Sequence, residues 1–398
     1  MPRRQLVLAV DVGTTKAAAL VAEGRADAEL AVLGIAATPV MGVKRGLVVD
    51  VERAAQSLRD AVNRAVSMAG VEPTDVVGAV NGEHVRARVA SAEVDLGGRA
   101  VHDTDIEALV NRAARSAAEP GREVVRVVRG PFRVDGLPTG GSPQGLSVHR
   151  LGVEVVVISA ESQPLRNLRR TVQLAELRRV RWIPAGLAAS YGALSEDERM
   201  VGAVLLDVGG GTTQVVVWNG GVPRLMAVVP VGGELVTSDL AVGLGVVAAQ
   251  AERLKVERGH VVEAPEGTVE LRGVTGQAAK TVALREVRDI IAARVDEWLG
   301  LLEQALAQIT WTKAPAAGVV MTGGGALLRG LERRVEEAWG WPVRLGAPTG
   351  LAGLSDLARS PGYSVVVGLA KLALADGMGF RRDTAWTRIA QAWLRTWS

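Results

Sequence analysis

Two stretches of this chain, far apart in sequence, carry one pattern of apolar and polar positions. Leu6–Val10 is an unbroken apolar run that ends in Asp11-Val12-Gly13-Thr14-Thr15-Lys16, and Ala17–Val21 is apolar again. Val204–Leu206 ends in Asp207-Val208-Gly209-Gly210-Gly211-Thr212-Thr213-Gln214, and Val215–Trp218 follows. Each copy predicts a buried strand, a turn of glycine and threonine, and a second buried strand, which together make a hairpin. Beyond the first copy, Val32–Thr38 reads as a third strand, Val51–Ala69 as an amphipathic helix and Val76–Val80 as a further strand. The pattern then loosens from Asn81 to Gln163. Short strands are expected there at His84–Val89, Val124–Val128 and Val153–Ser159, a helix at Asp105–Ser116, and a loop at 135–143. Residues 164–191 return to helix and strand. The stretch from Gly232 to Ala316 is largely helical, with a short hairpin expected at Val261–Gly273 and a long helix at Leu284–Leu306. Strands alternating with helices define an α/β protein, and 398 residues exceed what one compact core usually holds.

The turns of the two hairpins suggest their chemistry. Glycine lets backbone amides approach an anion closely, and threonine hydroxyls add donors. An aspartate beside a phosphate repels it unless a hydrated divalent cation lies between, a role that suits Mg²⁺. Two such hairpins facing each other would clamp a nucleotide's phosphates, whereas one alone is more often a plain turn. A third cluster strengthens the reading: the strand Val319–Thr322 runs into Gly323-Gly324-Gly325, and helical spacing follows over Leu327–Trp339. A bare strand–glycine–helix junction lets a base or ribose lie on the backbone. No GxxxxGK followed by Ser or Thr is present, and no GxGxxG opens a helix after a strand.

Composition narrows the remaining classes. The chain has no cysteine, so disulfide frameworks and thiolate sites are excluded. His84, His102, His149 and His260 are scattered without metal-ligand spacing. No apolar run approaches the ~18–20 residues that span a bilayer, and Asp11 ends the first apolar run too early for a signal peptide. The net charge of +3 resides entirely in residues 381–398, where Arg381, Arg382, Arg388 and Arg395 outnumber Asp383. That balance points away from nucleic acid. An internal cluster (Arg166, Arg169, Arg170, Arg178, Arg179 and Arg181) fits either a solvated face or a surface for an acidic partner or lipid.

The tail is unlike the rest. Only 3% of residues are aromatic, yet Trp386, Trp393 and Trp397 fall within the last thirteen. At about 100° per residue, Ile389, Ala390, Trp393 and Trp397 lie within about 60° of Trp386. Arg388, Gln391 and Arg395 gather opposite. A helix over Thr384–Ser398 is roughly 20 Å long, too short to span a membrane but suited to lying in its interface. Tryptophan favours the headgroup level and arginine favours anionic lipid. The alternative is a terminal helix packed on its own domain; the Gly-bearing linker 376–383 argues for a detached one.

The order of these pieces, phosphate hairpin, phosphate hairpin and adenosine motif, resembles the actin/Hsp70/sugar-kinase ATPase superfamily. Within it the sequence resembles the bacterial cell-division family FtsA. The likeness is carried by Ile183–Tyr191, by Ser195–Arg199 leading into Asp207–Thr212, by Val236–Leu240, by Ala251–Gly259 and by the tail, and it runs from Leu6 to Ser398. It implies an actin-like two-lobed ATPase fold with an inserted α+β subdomain in the first lobe and a C-terminal amphipathic helix. The first-lobe core would occupy 1–80 and 164–200, the latter with the linking helix, and the inserted subdomain 81–163. The second-lobe core would occupy 201–231 and 317–375, with an insertion at 232–316, a linker at 376–383 and the membrane helix at 384–398.

The resemblance also implies roles. ATP and Mg²⁺ are the expected ligands, with Asp11 and Asp207 orienting metal and water. Gly13, Thr14, Thr15, Lys16, Gly209, Gly210, Gly211, Thr212, Thr213, Gly323, Gly324 and Gly325 would hold the nucleotide. Glu252 and Lys255, one helical turn apart, match the group that binds ribose and adenine, although a surface ion pair has the same spacing. Arg294 and Glu297 match the helix that grips the acidic tail of FtsZ, against the same alternative. Further expected partners are other copies of the chain in an actin-like polymer, later division proteins at 81–163, and anionic lipid at Trp386, Arg388, Ile389, Trp393, Leu394, Arg395 and Trp397. The expected place is the cytoplasmic face of the membrane at the septum. Many superfamily ATPases put a carboxylate before the linking helix; here Pro184-Ala185-Gly186 stands there, so hydrolysis is expected to be slow at most. The alternatives are an FtsA-like pilus-assembly adaptor, PilM-like, which should lack the Trp/Arg tail, and an Hsp70-like or sugar/acid-kinase ATPase with a carboxylate near Ala185.

Overall fold

The computed structural model describes residues 5–24, 29–263, 266–272, 279–309, 314–354 and 356–378. The first apolar pattern folds into Leu6–Val12 paired antiparallel with Lys16–Gly24. Leu30–Pro39 continues the antiparallel sheet on one side, and Leu351–Gly353 closes that edge. On the other side Asp75–Val80 and then Val180–Pro184 add in parallel, completing six strands. The helix Val51–Ala69 makes the crossover. Asp50 caps it by accepting from the Arg53 amide, and Ala54, Leu58, Ala61, Val62 and Ala65 form its buried stripe.

The second lobe repeats this plan. Ala203–Val208, Thr213–Asn219 and Val222–Val229 are antiparallel, and Val319–Thr322 and Val343–Leu345 add in parallel beside the first of them. Its crossover is larger, comprising helices Gly233–Gly243, Ala248–Arg258 and Leu284–Leu306. The hairpin expected at Val261–Gly273 is displaced along the chain: Thr268–Arg272 pairs with Ala279–Ala283. Its second strand, Ala-Lys-Thr-Val-Ala, is too short and too polar to stand out, whereas Val261 and Val262 are apolar but unpaired in any sheet.

The inserted subdomain is a four-stranded sheet ordered Val85–Asp95, Arg150–Glu161, Arg122–Val134, Leu137–Pro138, with helix Asp103–Ser116 on one face. These strands are much longer than the apolar stretches that predicted them. Cross-strand pairing carries exposed polar residues such as Arg129, Arg133 and Glu93 into the ladder. Leu137–Pro138 adds a short strand within the expected loop. Of three apolar clusters, one fills the first lobe and continues through the linking helix into the second lobe at Leu205, Val216 and Trp218, one fills the rest of the second lobe, and one fills the inserted subdomain. Arg169, in the basic cluster, reaches across 2.8 Å to Glu123 of the inserted sheet.

The lobes join through the linking helix Ala185–Ala193, buried along nearly its whole length. Trp218 of the second lobe donates its indole N–H to Ser190 Oγ at 2.9 Å, anchoring that helix. The helix Ser364–Met378 runs on past the start of the expected 376–383 linker.

Candidate functional site

The turns of the two hairpins share one backbone bond. The Gly13 amide donates to the Lys16 carbonyl at 3.0 Å, and the Gly209 amide donates to the Thr212 carbonyl at 2.8 Å. The turns meet in the cleft, where Thr14 and Thr15 lie against bare glycine. A methyl group added at Gly211 would stand 2.7 Å from Thr14 Oγ1, and one at Gly210 would stand 2.9 Å from Thr15 Oγ1. Thr14 Oγ1 also accepts from the Gly46 amide at 3.0 Å, which fixes the rotamer it presents.

Asp207 is buried among these turns, and Asp11 is half-buried with its Oδ1 shut away from solvent. Asp11 Oδ1 has no hydrogen-bond partner among the described residues. Burial pushes the Asp11 carboxyl up to about 6, with Lys16 opposing, and pushes Asp207 up to about 7, with the charge of Asp11 adding to the rise. Burial lowers the Lys16 ammonium, while Asp11 and Asp207 partly restore it. Two carboxyls that resist ionisation, one with an orphaned oxygen, fit a hard divalent cation completed by phosphate oxygens and water. Among the described residues no three His, Cys, Asp or Glu side chains form a cluster that would hold a metal by protein ligands alone.

The third glycine cluster closes the site. Gly323 has φ +86°, and a side chain there would come within 2.5 Å of Asp207 Oδ1, so only glycine lets this turn lie on the aspartate. Gly324 is open to solvent. The predicted helix after it begins only at Leu331, because Gly325–Leu327 forms a short 3-10 turn first. Lys255 and Glu252 are 2.6 Å apart, and Lys255 Nζ also donates to the Gly233 carbonyl at 3.0 Å and Thr237 Oγ1 at 2.8 Å. Gly233 in turn donates to the Gly209 carbonyl at 3.0 Å, so this pair is built onto the second hairpin.

One candidate site residue points elsewhere than its motif suggested. The Thr213 hydroxyl is turned into the second-lobe core, where it donates to the Val231 carbonyl at 2.8 Å and accepts from Trp298 Nε1 at 2.9 Å. It is therefore not a cleft donor. Arg294 does sit beside Glu297, at 2.6 Å, but is also gripped by both oxygens of Asp239, at 2.5 and 2.9 Å. Asp239, 55 residues away, gave no sequence signal as its partner. Trp386, Arg388, Ile389, Trp393, Leu394, Arg395 and Trp397 lie outside the described residues. Sequence reasoning also missed Gly362 and Tyr363: Lys16 Nζ donates to the Gly362 carbonyl at 2.6 Å and lies 4.0 Å from the Tyr363 ring centre. It missed Asn81 and Gln214 as a pair, although a glutamine inside an otherwise apolar strand was visible.

Two homologous lobes with paired turns over a cleft define the class, an actin-like fold. Solved structures agree: a chain of the PilM–PilN type IV pilus biogenesis complex superposes with TM-score 0.65 at 20% identity, covering 92% of this chain and 97% of that one. MreB5 of Spiroplasma citri bound to ADP gives TM-score 0.55 at 13% identity, covering 94% and 97%. A family model for cell division protein FtsA matches residues 204–368, and one for the SHS2 domain inserted in FtsA matches residues 82–159. The FtsA of Pseudomonas aeruginosa is 31% identical over 380 residues, 94% of this chain and 91% of that protein. FtsA of Escherichia coli K12 is 31% identical over 376 residues, 92% and 90%. The chain belongs to the FtsA family of cell-division proteins.

Proposed function

We propose that this protein is an ATP-binding, actin-like division protein that tethers FtsZ filaments to the inner face of the cell membrane. The observation that carries the nucleotide half is the cleft itself, where two matched turns face each other over Asp11 and Asp207. ATP phosphates would lie against the amides of Gly13–Lys16 and Gly209–Thr212, with Mg²⁺ between them and the two carboxylates. Gly323–Gly325, Glu252 and Lys255 would hold the nucleoside. ADP in MreB5 of S. citri, a protein of the same fold, supports this reading. Ala185, buried at the start of the linking helix, can neither take a proton nor orient a water, so turnover falls well below the enzyme median of about 10 s⁻¹.

The tethering half rests on family membership and on the tail. Among the described residues no single helix is long and apolar enough to cross a membrane. Residues 384–398 would attach the protein peripherally at the septum, weakly as single anchors and firmly when self-association presents many together. The acidic FtsZ tail would bind at Arg294 and Glu297 by displacing Asp239 from the guanidinium, and later division proteins would bind the inserted subdomain. The pilus-adaptor reading has less support, since its structural relative shares 20% identity against 31% for the FtsA proteins.

Flotation on anionic liposomes tests this reading. With Mg·ATP present, the full chain should float and carry FtsZ with it, and a chain ending at Asp383 should do neither. Flotation that survives the truncation, or an FtsZ that stays behind with floated protein, overturns the tether.

A further inference from the structure

The structure carries a polar pair in the cleft that neither hairpin motif explains. Gln214 is only 4% exposed and pairs in register with Asp207 across the second hairpin, so the two side chains share one face of the strand pair. Its neighbours Val215, Val216 and Val217 are core residues. A buried carboxamide is unfavourable unless its groups are engaged. Gln214 Nε2 donates to Asn81 Oδ1 at 2.5 Å, a bond from the second lobe to the first. Asn81 Oδ1 also accepts from the Gly82 amide at 2.7 Å. The Gly82 amide identifies the Asn81 atom as the oxygen, so Gln214 turns its nitrogen to it, using one of two N–H groups, and leaves Oε1 as an acceptor. That oxygen lies against the start of the linking helix, where a methyl group added at Gly186 would stand 3.5 Å from it. Gly186 adjoins Ala185, where the carboxylate is missing. Asn81 follows the strand whose Gly78 pairs with Val10, so it comes level with the turn of the first hairpin.

We propose that Gln214, held in orientation by Asn81, positions the attacking water at the terminal phosphate of ATP. The inference rests on the nucleotide reading of this cleft. Gln214 Oε1 accepts one hydrogen of the water and aims its oxygen at the γ-phosphorus. A bond forms between that oxygen and phosphorus, and the bond from phosphorus to the bridging oxygen breaks, leaving its electron pair on ADP. The water's proton passes to a phosphate oxygen, because a carboxamide does not accept one. Orientation without a base gives slow hydrolysis, and a glutamine in this role serves other nucleotide hydrolases. Gln214 touches the reacting water and is the catalytic residue of this scheme, whereas Asn81 acts through it and is a positioning residue.

The test uses the full chain with Mg²⁺ and three readouts: single-turnover phosphate release, the affinities for ATP and ADP by calorimetry, and the affinity for ADP with aluminium fluoride, a mimic of the transferring phosphoryl group. Gln214→Ala should slow phosphate release at least about tenfold, with ATP and ADP affinities within about twofold. It should also lose, by a similar factor, the extra affinity for ADP with aluminium fluoride. Asn81→Ala should show the same signature more weakly, and it decides the matter if Gln214→Ala melts early. Wild-type protein that binds ATP without releasing phosphate overturns the proposal and leaves the nucleotide site standing. So do variants that hydrolyse at the wild-type rate. Wild-type protein that binds no ATP overturns the nucleotide reading itself.

Discussion

The two hairpins are built alike and equipped differently. Both place aspartate at the end of the first strand and close the turn with the same glycine amide bond. In the first lobe, Asp11 faces Ala18 across the hairpin, and the turn supplies threonine side chains and a lysine. In the second lobe, Asp207 faces Gln214, and the turn supplies bare glycine. The threonines of one therefore fit the glycines of the other, and two copies of the first hairpin would collide. The two turns share a frame and differ in their side chains, and that difference is what lets them lie in contact.

That asymmetry is broken most severely by filling the second turn. Valine at Gly211 would meet Thr14 Oγ1 and the backbone of Arg45, so the lobes must stand apart. Overpacking of this kind costs roughly 3 kcal/mol, and losing contacts to one turn costs more, so Gly211→Val should lower ATP affinity roughly 1000-fold. Gly13→Ala is the control, because a methyl there meets only its own turn, 3.0 Å from the Lys16 carbonyl. Calorimetry on both variants checks the comparison; equal losses would mean that the turns are interchangeable.

The metal is the next largest effect. Asp207→Ala should weaken Mg·ATP binding roughly 100-fold, and metal-free binding much less, because the cation loses an orienting oxygen. Titrations with and without EDTA separate the two, and an unchanged Mg·ATP affinity counts against the site.

Lys16 comes third. Its bond to the Gly362 carbonyl and its contact with Tyr363 hold the ammonium in place at the cleft. A charge-assisted bond to phosphate contributes about 1.5–3 kcal/mol, so Lys16→Ala should lower ATP affinity roughly 10- to 100-fold. ADP should suffer less if the lysine serves the terminal phosphate.

How much of this the sequence reveals depends on how local each feature is. Both hairpins, the helix Val51–Ala69 and the glycine junction after Val319 are legible because the residues that determine them are adjacent in the chain. The inserted sheet is legible only in part, because its strands extend over charged residues that tertiary pairing recruits. What couples distant segments is not legible. Asp239 with Arg294, Asn81 with Gln214 and Lys16 with Gly362 are separated by 55, 133 and 346 residues. The Thr213 hydroxyl shows the converse error, since a motif names a residue type without the face it presents. Its alternation with Gln214 places one side chain in the core of the second lobe and the next in the cleft.

The smallest effect is a pH dependence that sharpens the difference between the aspartates. Each carboxyl is raised from 3.8, Asp11 to about 6 and Asp207 to about 7, with burial the larger cause in both. For an acid raised on folding, the stability contribution is complete below the unfolded value and is lost as pH rises through the folded one. Between about pH 4 and pH 7 the nucleotide-free protein should therefore lose the stability held by these two protonated groups. Asp207→Asn keeps the shape and removes one titration, which separates this pair from every other ionisable group. The melting temperature of wild type, relative to that variant, should fall by roughly 2–5 °C between pH 5 and pH 8. Asp11→Asn should move the remaining transition to lower pH, because Asp207 then loses a repelling neighbour. Saturating Mg·ATP favours the ionised carboxylates, so it should reverse the trend and make stabilisation by nucleotide grow with pH across the same window. Wild type and Asp207→Asn melting in parallel across that range would show that Asp207 is ionised before the cation arrives.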